Sequence, residues 1–103
     1  MQVSKGPDPA TVASNVYTLL MENDRVRVFD VHFKPGATAK MHWHPDHLGY
    51  VLKGGKLDLT MKDGTINKLE VSTGKTFFLE SQTHEAVNTG KTDVHLIVTE
   101  LKR

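Results

Sequence analysis

Turn-forming residues punctuate this chain at intervals of roughly eight to twelve residues, and no stretch between them carries a helical period. That spacing restricts the fold to an all-β sandwich or barrel. Val16 to Met21 reads as a strand ended by Glu22-Asn23-Asp24. Arg25 to Phe33 alternates, with Phe29, Val31 and Phe33 on one face and Asp30 and His32 on the other, until Pro35-Gly36 stops the ladder. Trp43 to Lys53 is a second extended stretch, closed by Gly54-Gly55. Lys56 to Lys62 and Thr65 to Val71 flank Asp63-Gly64, a two-residue hairpin signal. Thr76 to Leu79, His84 to Val87 and Asp93 to Leu101 complete the set, with Asn88-Thr89-Gly90 turning the chain before the last. About eight or nine short strands on hairpin-length connections must hide their edges, which predicts an antiparallel β-barrel or jelly roll. Residues 1–15, with Gly6-Pro7-Asp8-Pro9, read as an irregular N-terminal arm, and residues 16–103 as one barrel domain.

Composition narrows the function classes. A chain of 103 residues is one domain's worth, and 38% hydrophobic against 24% charged residues describes an ordinary globular domain. Thirteen basic and twelve acidic residues are scattered and leave a net charge of +1, so there is no basic stripe for nucleic acid. No apolar run approaches the ~18 residues of a membrane span. The opening residues lack the apolar core of a secretory signal, which predicts a cytoplasmic protein. With no cysteine there is no disulfide, thiolate nucleophile or cysteine metal site. No serine–histidine–acid series and no glycine-rich phosphate loop is visible, and no catalytic residue is identified.

Six histidines remain, and they carry the chemistry. In His42-Trp43-His44 the imidazoles stand at i and i+2, so on a strand both converge on one face while Trp43 points away. Imidazole nitrogen suits Zn, Cu, Fe and Ni, so the pair makes half of a metal site. His47 follows three residues on, and His84 opens a later strand. His32, opposite the Phe29-Val31-Phe33 face, reads as a surface histidine, and His95 has no partner in sequence. Asn88 reads as closing a turn through its side chain. Trp43 and Tyr50 read as exterior packing residues, and Phe77, Phe78 and Leu79 as core whose inward members would make any pocket apolar.

Gly36, five residues, His42-x-His44, then Tyr50-Val51-Leu52-Lys53-Gly54 resembles the first motif of the cupin superfamily. Gly74-Lys75-Thr76-Phe77-Phe78-Leu79, then His84-x-x-x-Asn88-x-Gly90, resembles the second. The likeness extends to Glu22-Asn23-Asp24-Arg25-Val26-Arg27-Val28 and covers nearly everything after residue 15. It implies a small double-stranded β-helix (jelly-roll) barrel with a divalent transition metal inside (Fe, Mn, Ni, Zn or Cu), for which His42, His44 and His84 match the family's ligands. The family's glutamate is missing. Counting back from Gly54 puts His47 in its place and implies a four-histidine shell; counting from Gly55 puts Leu48 there and leaves three histidines. Pro45-Asp46 intervenes, where a bulge would break the alternation, so strand parity leaves both open. Glu80-Ser81-Gln82 stands where the family commonly has Pro-x-Gly, which brings Glu80 and Gln82 near the barrel mouth.

The resemblance implies a metal-dependent, dioxygenase-like enzyme acting on a small oxygen-rich molecule, because open positions on the metal would take substrate and O₂. A non-catalytic cupin that binds or stores a metal or small ligand is the alternative. Barrels of this family commonly pair, so a homodimer is expected through the arm and Tyr17-Thr18-Leu19. A small-molecule ligand is the expected partner, with neither nucleic acid nor membrane.

Overall fold

The described residues form nine strands: β1 (Tyr17–Glu22), β2 (Val26–Phe33), β3 (Thr38–His44), β4 (His47–Lys53), β5 (Gly55–Met61), β6 (Ile66–Val71), β7 (Thr76–Leu79), β8 (Gln82–Asn88) and β9 (Val94–Leu101). They come from a computed structural model that describes residues 6–102. Every pairing is antiparallel, in a five-stranded sheet ordered β1-β2-β9-β4-β7 and a four-stranded sheet ordered β3-β8-β5-β6. The fold is the expected all-β jelly roll. No helix among the described residues is long and apolar enough to cross a membrane.

The core lies between the sheets. Phe29, Val31 and Phe33 of β2 and Val94, Leu96 and Val98 of β9 are buried from one side, and Leu57, Leu59 and Ala86 from the other. Each large apolar side chain so buried contributes roughly 1.5–3 kcal/mol, against the backbone entropy of ordering its strand. The Asp63-Gly64 hairpin forms as the sequence predicts: Gly64 adopts φ +93°, closed to most side chains, and the Asp63 carboxylate accepts the Thr65 N–H at 3.0 Å.

Two stretches differ from the sequence reading. Trp43 to Lys53 is not one extended run: β3 and β4 belong to different sheets, and Pro45-Asp46 forms the corner between them. Pro45 has no N–H for a ladder. Asp46 fixes the corner by accepting the Ser81 N–H on its side chain and the Leu101 N–H on its carbonyl. Within the segment read as an irregular arm, Pro9–Val12 forms a single turn of helix, α1, capped by the Asp8 side chain on the Ala10 N–H. This turn packs on β3, and the Trp43 N–H donates to the Pro7 carbonyl at 2.8 Å. Residues 1–5 of the arm lie outside the described residues.

Candidate metal centre

A bulge turns the first two histidines inward. Ala39 of β3 pairs with Ala86 of β8 and His42 pairs with His84, so β3 spends three residues where β8 spends two. Without the extra residue Met41 and Trp43 would share the inward face of Ala39; with it, His42 and His44 do, and both are buried. The same register sets His84 directly across from His42. His47 reaches the cluster from the other sheet, because the Pro45-Asp46 corner returns the chain facing its own preceding strand.

Three of the imidazoles, His42, His44 and His84, pack against one another, and the fourth, His47, lies against His44 outside that group. Ring centroids are 4.6 Å apart for His42 and His44, 4.9 Å for His42 and His84, 5.2 Å for His44 and His84, and 4.5 Å for His44 and His47. One ring nitrogen from each of His42, His44 and His84 falls within 4.8 Å of the others. His47 lies against His44, 3% exposed.

Each ring is held by the same atom. His42 Nδ1 donates to the Lys40 carbonyl at 2.6 Å, His44 Nδ1 to Glu100 Oε2 at 2.6 Å, His47 Nδ1 to the Pro45 carbonyl at 2.7 Å and His84 Nδ1 to Gln82 Oε1 at 2.8 Å. Three of these acceptors cannot donate, and the fourth is the carbonyl end of an amide, so the proton sits on Nδ1 in every ring. Every Nε2 therefore presents a lone pair, the tautomer and orientation that hydrogen-bonded metal-ligating histidines have. Tyr17 has one proton to give and donates it to His44 Nε2 at 3.1 Å, its hydroxyl also lying 3.5 Å from His42 Nε2.

Burial sets the charge state. It pushes the pKa of His42, His44 and His47 below the ordinary histidine value and that of His84 down to about 2, with crowding by neighbouring histidines adding to the effect at His44 and His84. The rings are neutral at pH 7 and already in the protonation state a metal requires. Burial, and then the charge of Glu100, pushes the Tyr17 phenol up, so it stays a donor.

Behind His44 runs a chain of charge. Glu100, 2% exposed, accepts His44 Nδ1 on one oxygen and Arg27 Nε on the other at 3.1 Å. Arg27 in turn makes a two-pronged pair with Asp8, at 2.9 and 3.1 Å. Burial raises the Glu100 carboxyl while Arg27 pulls it back, and the Arg27 hydrogen bond holds Asp8 below its ordinary value. With a donor on each of its oxygens, Glu100 stands as an acceptor on both sides, one hydrogen bond behind the His44 ring.

The sequence reading missed Glu100, Tyr17, Arg27 and Asp8. A signal existed for Glu100: the alternation Val94, Leu96, Val98, Glu100 puts a carboxylate on the apolar face of β9. The other three are joined to the site only by tertiary pairing. His32 and His95 lie on the outer face, bound to Asp93 and Asp30 at 2.8 Å each, away from the cluster. Gln82 orients His84, Glu80 is exposed, and Trp43 faces out with its indole N–H on Ser81. Tyr50 is exposed, and the buried Asn88 ties the turn through Phe33, Thr92 and Gly90. Of the three residues read as core, Phe77 and Leu79 face in, whereas Phe78 is 55% exposed.

The fold is similar to that of known proteins. Residues 29–100 match the family described as a cupin domain. A cupin domain from Bordetella pertussis Tohama I has the same fold over 100% of this chain and 99% of that one, at 22% identity and a TM-score of 0.78. The polyketide cyclase RemF from Streptomyces resistomycificus aligns over 84% of this chain and 64% of its own length, at 22% identity and a TM-score of 0.63. A recombinant oxalate oxidase in complex with glycolate is 29% identical over 72% of this chain and 40% of its own, with a TM-score of 0.55. No curated protein matches the chain in sequence at a significant level.

Proposed function

The chain belongs to the cupin family, and from that premise we propose that it is a small metal-dependent enzyme, dioxygenase-like, acting on a small molecule that presents oxygen donors. His42, His44 and His84 would hold the metal, with His47 as the fourth ligand. One observation carries this reading: four buried, neutral imidazoles each have Nδ1 tied to an oxygen acceptor, which leaves Nε2 as the nitrogen to bind. The donor set fits a borderline divalent transition metal better than Mg²⁺ or Ca²⁺, which prefer oxygen. When bound, such an ion supplies a Lewis acid for a carbonyl or hydroxyl oxygen and, if redox-active, a partner for O₂.

The chain's own residues do the rest. Glu100 holds the His44 tautomer and places negative charge beside an otherwise neutral shell. Tyr17 keeps a proton at the cluster for an incoming oxygen to accept. The exposed edge residues Leu19, Leu20 and Met21 of β1 support a homodimer built on that strand.

A non-catalytic, ligand-holding role is the second reading. It is favoured by the scarcity of acid–base groups: among the described residues lining the interior cavity, Tyr17 and Glu70 are the only ionisable ones besides histidine. The deciding experiment is metal analysis of untagged protein together with O₂ uptake. About one transition metal per chain is expected, lost in His84→Ala and bound at least ~10-fold more weakly in His47→Ala. Full occupancy in His84→Ala would refute the ligand assignment. Occupancy by a redox-active metal without O₂ consumption across a panel of small oxygen chelators would favour the second reading.

A further inference from the structure

A cavity of about 270 Å³ opens beside His44, His47 and His84. Strand register gives its direction. His84 lies across from Met61 on β5, and Leu59 and Leu57 follow two and four residues further along that strand. In the other sheet His47 lies across from Glu100, while Leu96 is paired with Val51, four residues beyond His47. At about 3.3 Å per residue the cavity extends about 13 Å from the histidine end. Its wall is hydrocarbon: Leu57, Leu59, Leu69, Val71, Phe77 and Leu79 face it. Gly49 keeps this wall in place, since a Cβ there would stand 2.4 Å from Phe77 Cζ, so only glycine lets the ring lie over β4. No lysine or arginine is among the described residues lining the cavity, and Arg27 is engaged by Asp8 and Glu100. At the rim beside the half-exposed Leu69 stands a carboxylate, Glu70.

We infer that the site takes a compact molecule with an uncharged apolar body and oxygen donors at one end, the oxygens directed to the histidines and the body lying along the Leu57–Leu59–Phe77 wall. This inference rests on the metal reading above and names its substrate class. A small polyanion such as oxalate would find no cation besides the metal, a carboxylate at the entrance, and walls that beyond the Tyr17 hydroxyl at the histidine end offer its outer oxygens no hydrogen bond. A hydrocarbon body would replace water against those walls. The volume lies just under the ~300–1,000 Å³ of pockets for drug-sized ligands, which fits a single ring or a short branched chain.

The probes are tropolone, 4-isopropyltropolone and oxalate, titrated into protein reconstituted with cobalt(II), whose visible spectrum reports a change of ligands. The two tropolones share one chelating head, so their ratio reads the wall alone. A buried carbon contributes up to about four-fold, and 4-isopropyltropolone is expected to bind at least ~10-fold more tightly than tropolone, with oxalate the weakest of the three. Leu59→Asn should erase the isopropyl advantage at unchanged cobalt uptake. Leu69→Lys, at the half-exposed rim where packing is undemanding, should reduce that advantage and strengthen oxalate. Equal affinity for the two tropolones, or tighter binding of oxalate, would overturn the inference while leaving the metal centre standing. Failure to take up cobalt would overturn the metal reading itself, and the chelating end of this inference with it.

Discussion

Glu100→Gln changes one oxygen to an amide nitrogen and should disturb both stability and metal binding. In the parent, one carboxylate oxygen accepts from His44 Nδ1 at 2.6 Å and the other from Arg27 Nε at 3.1 Å. Glutamine has one acceptor oxygen for two donors. If the oxygen faces Arg27, the amide N–H₂ meets His44 Nδ1, and His44 must move its proton to Nε2 to accept it, which removes the lone pair a metal needs. If the oxygen faces His44, the N–H₂ meets the guanidinium. The first arrangement leaves His44 in the wrong tautomer for a metal, and the second sets a buried donor against a donor, at about 1–3 kcal/mol for the unsatisfied group. Loss of the buried charge beside Arg27 adds to this, short of the full 3–5 kcal/mol of a broken buried pair because Asp8 still holds the guanidinium. The metal-free variant should therefore unfold about 1–3 kcal/mol more easily in urea. Its zinc affinity should fall ~10–100-fold, as is typical when the partner of a ligating histidine is removed. Competition with a chromogenic chelator measures the second quantity. Adding Arg27→Met should recover part of the zinc affinity, since the amide oxygen is then free to face His44. Zinc binding within two-fold of the parent in Glu100→Gln would refute the account of the tautomer.

Acid should destabilise the metal-free protein. The folded pKa values of His42, His44, His47 and His84 lie below the unfolded value, so the stability they contribute is complete above ~6.5 and falls as pH drops toward the folded values. Glu100, raised by burial, has the opposite sign but is one group against four. A urea midpoint that stays flat from pH 7 to pH 5 in chelator would contradict this. Gly49→Ala puts a Cβ against the Phe77 ring and should cost about 1–3 kcal/mol in thermal or urea unfolding, partly relieved by Phe77→Leu; an unchanged midpoint would show that the ring moves freely. Light scattering should return twice the chain mass at micromolar concentration, and Leu20→Lys on the exposed edge strand should shift the protein toward the monomer; a parent that scatters as one chain refutes the dimer.

The strands were legible because alternation is a local property of the chain. Phe29, Val31 and Phe33 announce their buried face in five residues, and Asp63-Gly64 announces its hairpin in two. His42 and His44 were legible as a same-face pair, since parity needs no knowledge of the partner strand. Which face they take was decided by the bulge between Ala39 and His42, which exists only in the pairing with β8. The convergence of His47 likewise depends on a corner that moves the chain from one sheet to the other, where a reading of Trp43 to Lys53 as one run placed no break.

Local pattern along the chain is enough for an all-β jelly roll and a set of histidines rich enough for a metal. The tertiary structure decided what surrounds them. Glu100, Arg27, Asp8 and Tyr17 stand far apart in the chain, and no short-range pattern joins them to His44. Closure of two sheets does so. It removes water from the imidazoles, which holds them neutral and makes each Nδ1 proton seek a protein acceptor. It also lines the space beside them with leucine and phenylalanine. Alternation fixes which side of a strand is inward; what a residue meets there depends on the strand across the barrel, and that is set only when the barrel closes.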